Sequence, residues 1–449
     1  MMKRIFLYLI IYVGVLAACS DDDSFTTSPS CLLTFSTDTV KMDTVFSTVG
    51  SSTYTCWVYN YSGDGIRLNS VRLKNGNQTG FRVNVDGSYL DNLMGSVVTD
   101  LEVRQGDSIR VFVELTAAET NQDGPQLVED DLLFLLESGV EQKVCLRSYA
   151  WDAMHVSDLV VSRDTVIETT KPIVVYGGGI RVDEGVVLTL RNTTLFFHDG
   201  AGLTVRGTLK AENVVMRGDR LDHMFDYLPY DRVSGQWQGI VFEGSSVDNV
   251  LTDTEIRNAM TAVRVDSAAI DTTVQRLTMT RCVVHNAKGA GIVSTNSNIG
   301  LYYCQLTNTY GDCLAVYGGK ADIDHCTLGQ FYPFAADRGF ALAFSDDSDL
   351  RLTCRNTIVT GYDDDEVMLY SSGDTLRVVE YSFTDCLLRT PAVEDDTVSF
   401  KRIQWETPKD SIQGKQHFVK IDETNLDYDF HLDTLSTAIG KGCYDIEKK

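Results

Sequence analysis

Three segments of similar sequence recur at a constant spacing in the second half of the chain. They are Arg281–Asn286 (RCVVHN), Tyr303–Asn308 (YCQLTN) and His325–Gln330 (HCTLGQ). Their cysteines, Cys282, Cys304 and Cys326, are each 22 residues apart (304 − 282 and 326 − 304). Each unit is a short apolar strand that ends at an Asn or Gly corner. A period in the low twenties with such units predicts a solenoid of stacked coils, and this constrains the fold more than any other feature.

The same frame extends in both directions. Thr254–Asn258 fits it 28 residues before Asn286, and Asn356–Thr360 fits it 30 residues beyond Gln330. In a solenoid each coil pairs its backbone with the coils above and below, about 4.8 Å away, so that inward side chains stack in columns. We therefore expect columns of Cys282/Cys304/Cys326 and of Val284/Leu306/Leu328. Asn258, Asn286 and Asn308 should occupy a corner in the left-handed conformation that Asn tolerates.

This coil resembles that of right-handed parallel β-helix proteins of the pectin-lyase-like class, over roughly residues 155–445. We therefore predict a right-handed parallel β-helix domain over residues 155–449. In such a coil the stacked cysteines act as small buried hydrophobic residues. Because parallel, in-register strands give poor geometry for a disulfide, free thiols are expected.

Residues 31–150 differ in character. Ile66–Leu73, Phe81–Val85 and Ser108–Leu115 alternate apolar with polar residues, the signature of half-buried strands. Such strands without helical periodicity predict an antiparallel β-sandwich of immunoglobulin type. The segment Phe35–Phe46 resembles the opening of Ig-like modules in Bacteroidota surface proteins, which implies a stalk or spacer. A ligand-binding sandwich is the alternative.

The N-terminus predicts an export signal. Lys3 and Arg4 precede the apolar stretch Ile5–Leu16, which is too short to span a bilayer. The following Leu16-Ala17-Ala18-Cys19 resembles a bacterial lipobox, which implies a signal peptide over residues 1–18 and a lipid anchor, with palmitate among its acyl groups, on Cys19. Residues 19–30 form a flexible acidic linker whose Ser20-Asp-Asp-Asp23 resembles the export signal of Bacteroidota surface lipoproteins. We expect an outer-membrane protein that faces the cell exterior.

The charge balance excludes one class of partner. The chain has 39 Lys and Arg against 63 Asp and Glu, a formal charge of −24. Loss of Lys3 and Arg4 with the signal peptide makes it 37 − 63 = −26. Nucleic acid is not an expected partner because its binding requires clustered basic residues. The surface should also repel anionic polymers unless metal ions intervene.

The 11 cysteines do not predict a metal site, since no Cys-x-x-Cys pair is present. Cys31, Cys56 and Cys145 of the first domain could include one disulfide bridge. Acidic runs at Asp346–Asp349 and Asp363–Glu366 gather carboxylates that could bind Ca²⁺, although neither has EF-hand spacing. Solvated loops are the alternative, and no other cofactor is expected.

Many β-helix proteins cleave polysaccharides, although the fold alone does not imply an activity. The Asn-Thr-Asp, Asp-Asp, Gly-His-Gly and Arg-Ile-Lys set of the hydrolases does not occur as a set in the expected order. The nearest match to a lyase site is Asp322-Ile-Asp324-His325, without the Arg-rich strand that should accompany it. We therefore assign no catalytic residue.

One coil is much longer than the others, since Gly218 and Asn258 are 40 residues apart (258 − 218). Long loops on a rigid scaffold often carry function. The aromatic and charged residues of this loop suit stacking on sugar rings or anchoring a protein partner. The alternative is a loop packed on the coil and held by Asp–Arg pairs. The candidate binding residues are Asp219, Arg220, Asp222, Asp226, Tyr227, Tyr230, Asp231, Arg232 and Trp237. The segment resembles one in uncharacterised β-helix lipoproteins of Bacteroidota, which implies no activity.

Three functions follow in order of preference. The first is a non-catalytic surface lipoprotein that acts as a scaffold or partner-binding module, in an outer-membrane protein assembly. The second is a glycan-binding protein. The third is a divergent polysaccharide lyase or hydrolase.

Overall fold

The computed structural model describes residues 24–268, 273–371 and 377–444, without the side chains of residues 346 and 347. The chain divides into two compact units, Met1–Asp152 and Ala153–Lys449. Within the described residues, no helix has the length and apolar character needed to cross a membrane. The predicted signal peptide, Cys19 and the acidic run that follows it lie outside the described residues.

The first unit is an antiparallel β-sandwich. One sheet has the strand order β1-β4-β9-β6-β7, and the other has the order β2-β11-β10-β5-β8, with β3 also paired to β11. The strands are β1 (Thr34–Phe35), β2 (Thr39–Lys41), β3 (Val45–Phe46), β4 (Tyr54–Tyr59), β5 (Ile66–Leu73), β6 (Phe81–Val85), β7 (Ser88–Tyr89), β8 (Val97–Val103), β9 (Ser108–Leu115), β10 (Gln126–Leu136) and β11 (Glu141–Trp151).

The alternation in the sequence explains how the two sheets pack. On β9, Ile109, Val111 and Val113 are buried while Arg110 faces solvent. On β5, Ile66 and Leu68 are buried in the same core. The period of two therefore directs one face of each sheet into a shared interior.

The chain enters this sandwich at one end and leaves it at the other. Ser24 donates a hydrogen bond to Asp64, beside the start of β5. At the opposite end, the buried Asp152 accepts hydrogen bonds from the Ser47 hydroxyl (2.6 Å) and from the Asn121 amide (2.6 Å). Strand β11 runs between the two ends, and its 11 residues extend about 35 Å.

The second unit is built almost entirely of parallel strands that form one 23-stranded sheet, with two short hairpins, β18–β19 and β37–β38. The strands are β12 (Met154–Val161), β13 (Thr165–Glu168), β14 (Ile173–Val182), β15 (Val187–Phe197), β16 (Leu203–Val205), β17 (Thr208–Gly218), β18 (His223–Phe225), β19 (Leu228–Pro229), β20 (Ile240–Phe242), β21 (Asn249–Thr252), β22 (Glu255–Arg257), β23 (Val263–Val265), β24 (Gln275–Thr280), β25 (Val283–His285), β26 (Ile292–Tyr302), β27 (Gln305–Thr307), β28 (Leu314–Asp324), β29 (Thr327–Gln330), β30 (Leu342–Arg355), β31 (Ile358–Gly361), β32 (Val367–Tyr370), β33 (Val379–Thr384), β34 (Leu387–Leu388), β35 (Phe400–Lys401), β36 (Gln404–Trp405), β37 (Phe418–Asp422) and β38 (Asp427–Leu432).

Each coil contributes segments to three columns of paired strands. The first column includes β20, β23 and the start of β26. The second includes β21, β24 and the end of β26. The third includes β22, β25, β27, β29, β31 and β34. The fold class predicted from the sequence, an antiparallel sandwich followed by a parallel β-helix, is confirmed.

The predicted columns are present. Val284 pairs with Leu306, and Leu306 pairs with Leu328. The side chains of Cys282, Cys304 and Cys326 are fully buried in the residue positions just before these strands, and the ten cysteines of the described residues are free. The bridge considered for Cys31, Cys56 and Cys145 is therefore absent from the sandwich.

The predicted Asn corner is also present, since Asn258, Asn286 and Asn308 have φ values of 63°, 58° and 56°. One register prediction was wrong by a residue. Gln330 pairs with Gly361 and not with Thr360, so this coil repeats after 31 residues. Relative to the 22-residue repeat, six extra residues lie in the loop between β29 and β30 (342 − 314 − 22) and three more in an irregularity of β30 between Ser345 and Leu350.

A C-terminal segment covers the outer side of the third column. The hairpin β37–β38 contributes Phe418 and Phe430 to a cluster with Phe331, Ile358 and Leu387. The segment is also held by a buried hydrogen-bond network in which Glu406 contacts Arg389 and His417, and His417 contacts Ser436.

Candidate functional site

Three loops leave the third column at the same edge of the β-helix. They span residues 219–239, 331–341 and 362–366, and each leads to the first column of the next coil. The turn of the β37–β38 hairpin contributes residues beside them. Because the coils stack in register, loops that interrupt the same corner project from the same edge of the β-helix. This corner is where the candidate site forms.

The base of the 219–239 loop is fixed by Arg217. Its guanidinium lies 2.7 Å from the Asp231 carboxylate and 5.5 Å from the centre of the Phe196 ring. Burial lowers the pKa of Arg217 to about 10, although Asp231 opposes that shift. The Asn258 amide donates to the carbonyl oxygens of Asp231 (3.0 Å) and Val233 (3.1 Å). This half of the loop is therefore packed on the coil, as the alternative interpretation expected.

A second ion pair supports the start of the hairpin β18–β19. Arg220 donates two hydrogen bonds to Asp222, at 2.7 and 2.6 Å, and its guanidinium lies 3.9 Å from the centre of the Tyr230 ring. The hydrogen bonds that Arg220 donates to Asp222 raise the pKa of Arg220. Asp219 is bound to His198 at 2.7 Å. These candidate residues all have partners within the protein.

The tip of the hairpin is different. Met224, Phe225 and Tyr227 are 38 %, 54 % and 79 % exposed, and the rings of Phe225 and Tyr227 stack with centres 5.6 Å apart. Asp226 is exposed between them. Of the predicted loop residues, Asp226 and Tyr227 are thus the two on the projecting tip.

Trp237 requires a correction. The loop sequence predicts that this residue contacts a ligand, but Trp237 is 1 % exposed and stacks on Phe197 with ring centres 4.3 Å apart. Its Nε1–H donates to the carbonyl oxygen of Arg257 at 2.9 Å. A ring buried in the coil interior cannot stack on a sugar. Trp237 forms a parallel β-bridge with Ala259, which is also fully buried, so its backbone is part of the stacked coil.

A cleft opens beside the 331–341 loop. Its volume is about 350 Å³, and it is lined by Tyr332, Pro333, Phe334, Ala335, Ala336, Arg338, Tyr362 and Glu423. Phe334 is 51 % exposed, whereas Tyr332 is 7 % exposed and packs edge-on against it. The Tyr332 hydroxyl lies 3.0 Å from Ser234 Oγ, so the 219–239 loop contacts the wall of this cleft.

The charged groups of the cleft compensate each other. Arg338 donates to Asp363 at 3.2 Å and to the Ala335 carbonyl at 3.0 Å, and its guanidinium lies 4.7 Å from the centre of the Tyr362 ring. The Tyr362 hydroxyl beside Glu423, together with Lys415, lowers the pKa of the Glu423 carboxyl. Glu423 is therefore an ionised hydrogen-bond acceptor at neutral pH.

A narrow recess of about 10 Å³, room for about one water molecule, lies on the other side of Phe334. It is lined by Arg232, His285, Asn286, Asn308, Pro333, Phe334, Leu426 and Tyr428. Burial, with Arg232 and Arg257 nearby, lowers the pKa of His285 to about 3, so its ring is neutral. Arg232 is the predicted loop residue that reaches this site.

Three carboxylates of the second acidic run have partners within the protein. In the second run Asp363 binds Arg338, Asp364 binds Arg389 and Asp365 accepts a hydrogen bond from Thr390. Among the residues whose side chains are described, no group of three or more His, Cys, Asp or Glu is arranged to hold a metal ion. Calcium binding at these runs stays a prediction.

The lyase-like segment lies on the second column. Asp324 contacts His325 at 2.7 Å and Arg355 at 3.3 Å, and Asp322 contacts Arg355 at 3.8 Å. The carboxylates therefore form ion pairs on an open strand surface.

One family model matches part of the second unit. Residues 159–328 match the family model of the right-handed β-helix region. The sequence matches no curated protein. A family 123 glycoside hydrolase from Clostridium perfringens is similar over 27 % of this chain and 26 % of its own, with 6 % identity and a TM-score of 0.18.

Two other solved structures are similar over more of the chain. The catalytic unit of a family 87 α-1,3-glucanase from Streptomyces thermodiastaticus is similar over 78 % of this chain and 89 % of its own, with 11 % identity and a TM-score of 0.31. The Agl-KA catalytic domain is similar over 78 % of each chain, with 10 % identity and a TM-score of 0.30. At these identities and TM-scores the similarities say nothing of activity. The second unit is a right-handed parallel β-helix.

Proposed function

We propose that this chain is a lipoprotein of the outer membrane, exposed at the cell surface, whose β-helix binds a carbohydrate in the cleft beside Phe334 without cleaving it. The half-exposed Phe334 ring in a cleft of about 350 Å³ is the observation that carries this proposal. This reverses the order predicted from the sequence, in which a scaffold role came before glycan binding.

The chemistry of the walls favours a neutral sugar. Aromatic rings such as Phe334 offer a flat apolar surface to the C–H face of a pyranose, while Glu423 and Arg338 supply an acceptor and a donor for hydroxyl groups. Arg338 is paired with Asp363, and Glu423 with Lys415 at 3.2 Å. Since these pairs neutralise both charges, a ligand does not have to carry a charge to bind in the cleft.

The absence of hydrolysis in this proposal rests on the carboxylates. Glycoside hydrolysis generally uses two carboxyl groups on opposite sides of the scissile bond. Glu423 is the single carboxylate among the eight described residues that line the cleft. The lining of the cleft therefore suits binding of a sugar and lacks the second carboxylate that hydrolysis generally uses.

The location follows from the sequence. The lipobox-like segment supplies an anchor at Cys19, and a sandwich that the chain enters at one end and leaves at the other serves as a spacer. Anchoring close to the membrane suits a protein that captures a polymer at the cell surface.

The test compares two phenylalanines of equal exposure. Phe334→Ala removes the ring in the cleft (51 % exposed), and Phe225→Ala removes one on the hairpin tip (54 % exposed). On an array of neutral oligosaccharides the wild type and Phe225→Ala should bind the same sugars, and Phe334→Ala should bind at least about tenfold more weakly. Equal binding by both variants, or no binding by the wild type, would overturn the proposal. Release of reducing ends from a bound sugar would show that the protein cleaves it.

A second function, binding of a protein partner, is favoured by the hairpin tip. Exposed Met224, Phe225 and Tyr227 form a small apolar projection of the kind that fills a pocket on a partner. Co-purification from outer membranes should then be lost with Phe225→Ala and retained with Phe334→Ala. A partner that is retained by both variants would place the contact elsewhere.

A further inference from the structure

A row of aromatic side chains crosses the solvent face of the five-stranded sheet in the sandwich. Trp57, Tyr59 and Tyr61 follow one another along β4 and beyond its end, with ring centres 6.5 and 5.5 Å apart and planes within 18° and 10° of parallel. Trp57 and Tyr61 are 37 % and 71 % exposed. We call Trp57, Tyr59, Tyr61 and Phe112 the aromatic row.

Arg110 is part of this row. It lies directly opposite Trp57 on the neighbouring strand β9, two residues before Phe112. Its guanidinium carbon is 5.1 Å from the centre of the Trp57 ring and 4.7 Å from that of Phe112. The cation is therefore held against two aromatic rings on an exposed strand.

Arg110 differs from other arginines of the sandwich in having no acidic partner. Arg67, Arg72, Arg82 and Arg147 pair with Glu102, Glu141, Glu114 and Glu129. No carboxylate of the described residues forms an ion pair with Arg110. In a chain with 63 acidic residues against 39 basic ones, an arginine that faces two rings instead of a carboxylate has its charge available for a ligand.

The chemistry of such a group selects the ligand. A guanidinium is planar and presents paired N–H groups that match the two oxygens of a carboxylate or sulfate. Contact with the rings restricts its rotation and leaves less entropy to lose on binding. Tyr59 and Tyr61 continue the apolar surface beside it, on which a sugar ring can pack.

The negative net charge of the protein does not prevent this. At physiological ionic strength exposed charges more than about 8 Å apart are largely screened. On the same sheet face, Arg82 and Glu114 neutralise each other at 3.0 Å.

We propose that the aromatic row with Arg110 is a second binding site, specific for a saccharide that carries an acidic group. The carboxylate of a uronic acid and the sulfate of a sulfated sugar share the required chemistry. This site is independent of the cleft in the β-helix, and the sandwich is then more than a spacer.

The experiment uses the full-length mature protein in detergent and three tetrasaccharides: tetragalacturonate, whose acidic groups are all carboxylates, a κ-carrageenan tetrasaccharide, whose acidic groups are all sulfates, and the neutral maltotetraose. Isothermal titration should give heat with one of the acidic probes and none with maltotetraose at this site. Arg110→Ala should weaken that binding at least about tenfold, because a charge-assisted pair is lost. Arg110→Lys keeps the charge but loses the planar fork, and should weaken it about fivefold or more.

Arg82→Ala is the matched control, since it removes a positive charge from the same sheet face but one already paired. It should bind within about twofold of wild type, as should Phe334→Ala, which separates this site from the cleft. The acidic probe that binds identifies carboxylate or sulfate as the group recognised.

A purely structural role for the row predicts different results. Aromatic pairs on a sheet surface also stabilise neighbouring strands. If Arg110→Lys and Arg82→Ala bind alike, or if neither acidic probe binds the wild type, the proposal is overturned. The thermal midpoint of each variant is measured in parallel, and Arg110→Lys retains the cation–ring contact, so that a loss of binding there is separable from unfolding.

Discussion

Replacement of Trp237 by alanine tests the reassignment of this residue from ligand contact to core. The indole is 1 % exposed, lies against Phe197 with ring centres 4.3 Å apart and donates to the Arg257 carbonyl at 2.9 Å. Truncation of a buried Trp to Ala costs about 3–5 kcal/mol through lost burial and the cavity. The carbonyl left without its donor adds about 1 kcal/mol. We expect the coils around Trp237 to lose about 4–6 kcal/mol of stability.

Native-state hydrogen exchange with mass spectrometry measures this locally, which matters because a solenoid can open a few coils at a time. Peptides that cover β17, β20 and β22 should exchange at least about 100-fold faster in Trp237→Ala. Peptides from β4 in the first unit are the internal control and should be unchanged. Trp237→Phe keeps the stacked ring and loses the donor, so its effect should be only about 1–2 kcal/mol.

A contrary result is equally clear. If Trp237→Ala exchanges like the wild type and instead abolishes carbohydrate binding, the indole is a ligand contact, and its burial in the coil is not a property of the protein in solution.

Three further predictions concern buried groups and corners of the β-helix. Burial raises the pKa of Glu366 to about 8 from an ordinary 4.5, so the carboxyl loses its proton at lower pH in the unfolded chain than in the folded one. The free energy of unfolding should therefore fall between pH 4.5 and 8, by at most about 1.4 kcal/mol per pH unit. Urea denaturation at pH 5 and pH 8 should show a smaller difference for Glu366→Gln than for the wild type. Gly239→Ala should lower the free energy of unfolding by more than about 3 kcal/mol, because the new Cβ would lie 1.8 Å from the Thr261 carbonyl oxygen at φ +92°. Gly185→Ala, at φ +74° in open space, should lower it by about 1 kcal/mol. The thermal midpoints of the two variants compare these effects. Arg389→Ala removes the guanidinium that pairs with the buried Glu406 and should lower the free energy of unfolding by about 3–5 kcal/mol. Faster proteolysis of residues 406–444 would measure this loss. Arg402→Ala is the control and should change little, because its pair with Asp385 is exposed.

Much of the β-helix could be predicted because its coils repeat. Stacking forces the inward side chains of successive coils into register, so the 22-residue spacing of Cys282, Cys304 and Cys326 predicted their column directly. The Asn corner was predictable for the same reason, since few residues other than Gly and Asn adopt positive φ readily.

A second left-handed corner was missed. It lies between the second and third columns, where Asp253, Arg281, Tyr303 and His325 have φ values between 48° and 57°. These four residues have no shared side-chain chemistry. The corner also contains Asn192, Asn213, Asn356 and Asp385, so Asn and Asp mark it in some coils, whereas Arg281, Tyr303 and His325 hide the pattern in the coils with 22-residue spacing.

The candidate cleft was also missed. Its walls come from Phe334, Tyr362 and Glu423, which are far apart in the chain and meet only because loops of neighbouring coils and the C-terminal hairpin share one edge. The run Phe331-Tyr332-Pro333-Phe334, in a coil longer than its neighbours, was the signal that could have indicated it.

The sequence by itself determined the class of fold, the two-part organisation and the repeating core, because alternation and repeat spacing reflect which side chains must be buried. It also determined the charge balance and the N-terminal segment from which a lipid anchor is predicted. The tertiary structure decided which aromatic residues are exposed. Trp237 is buried, Phe334 is half exposed and Arg110 lies against two rings, since exposure depends on what packs over a residue from distant parts of the chain.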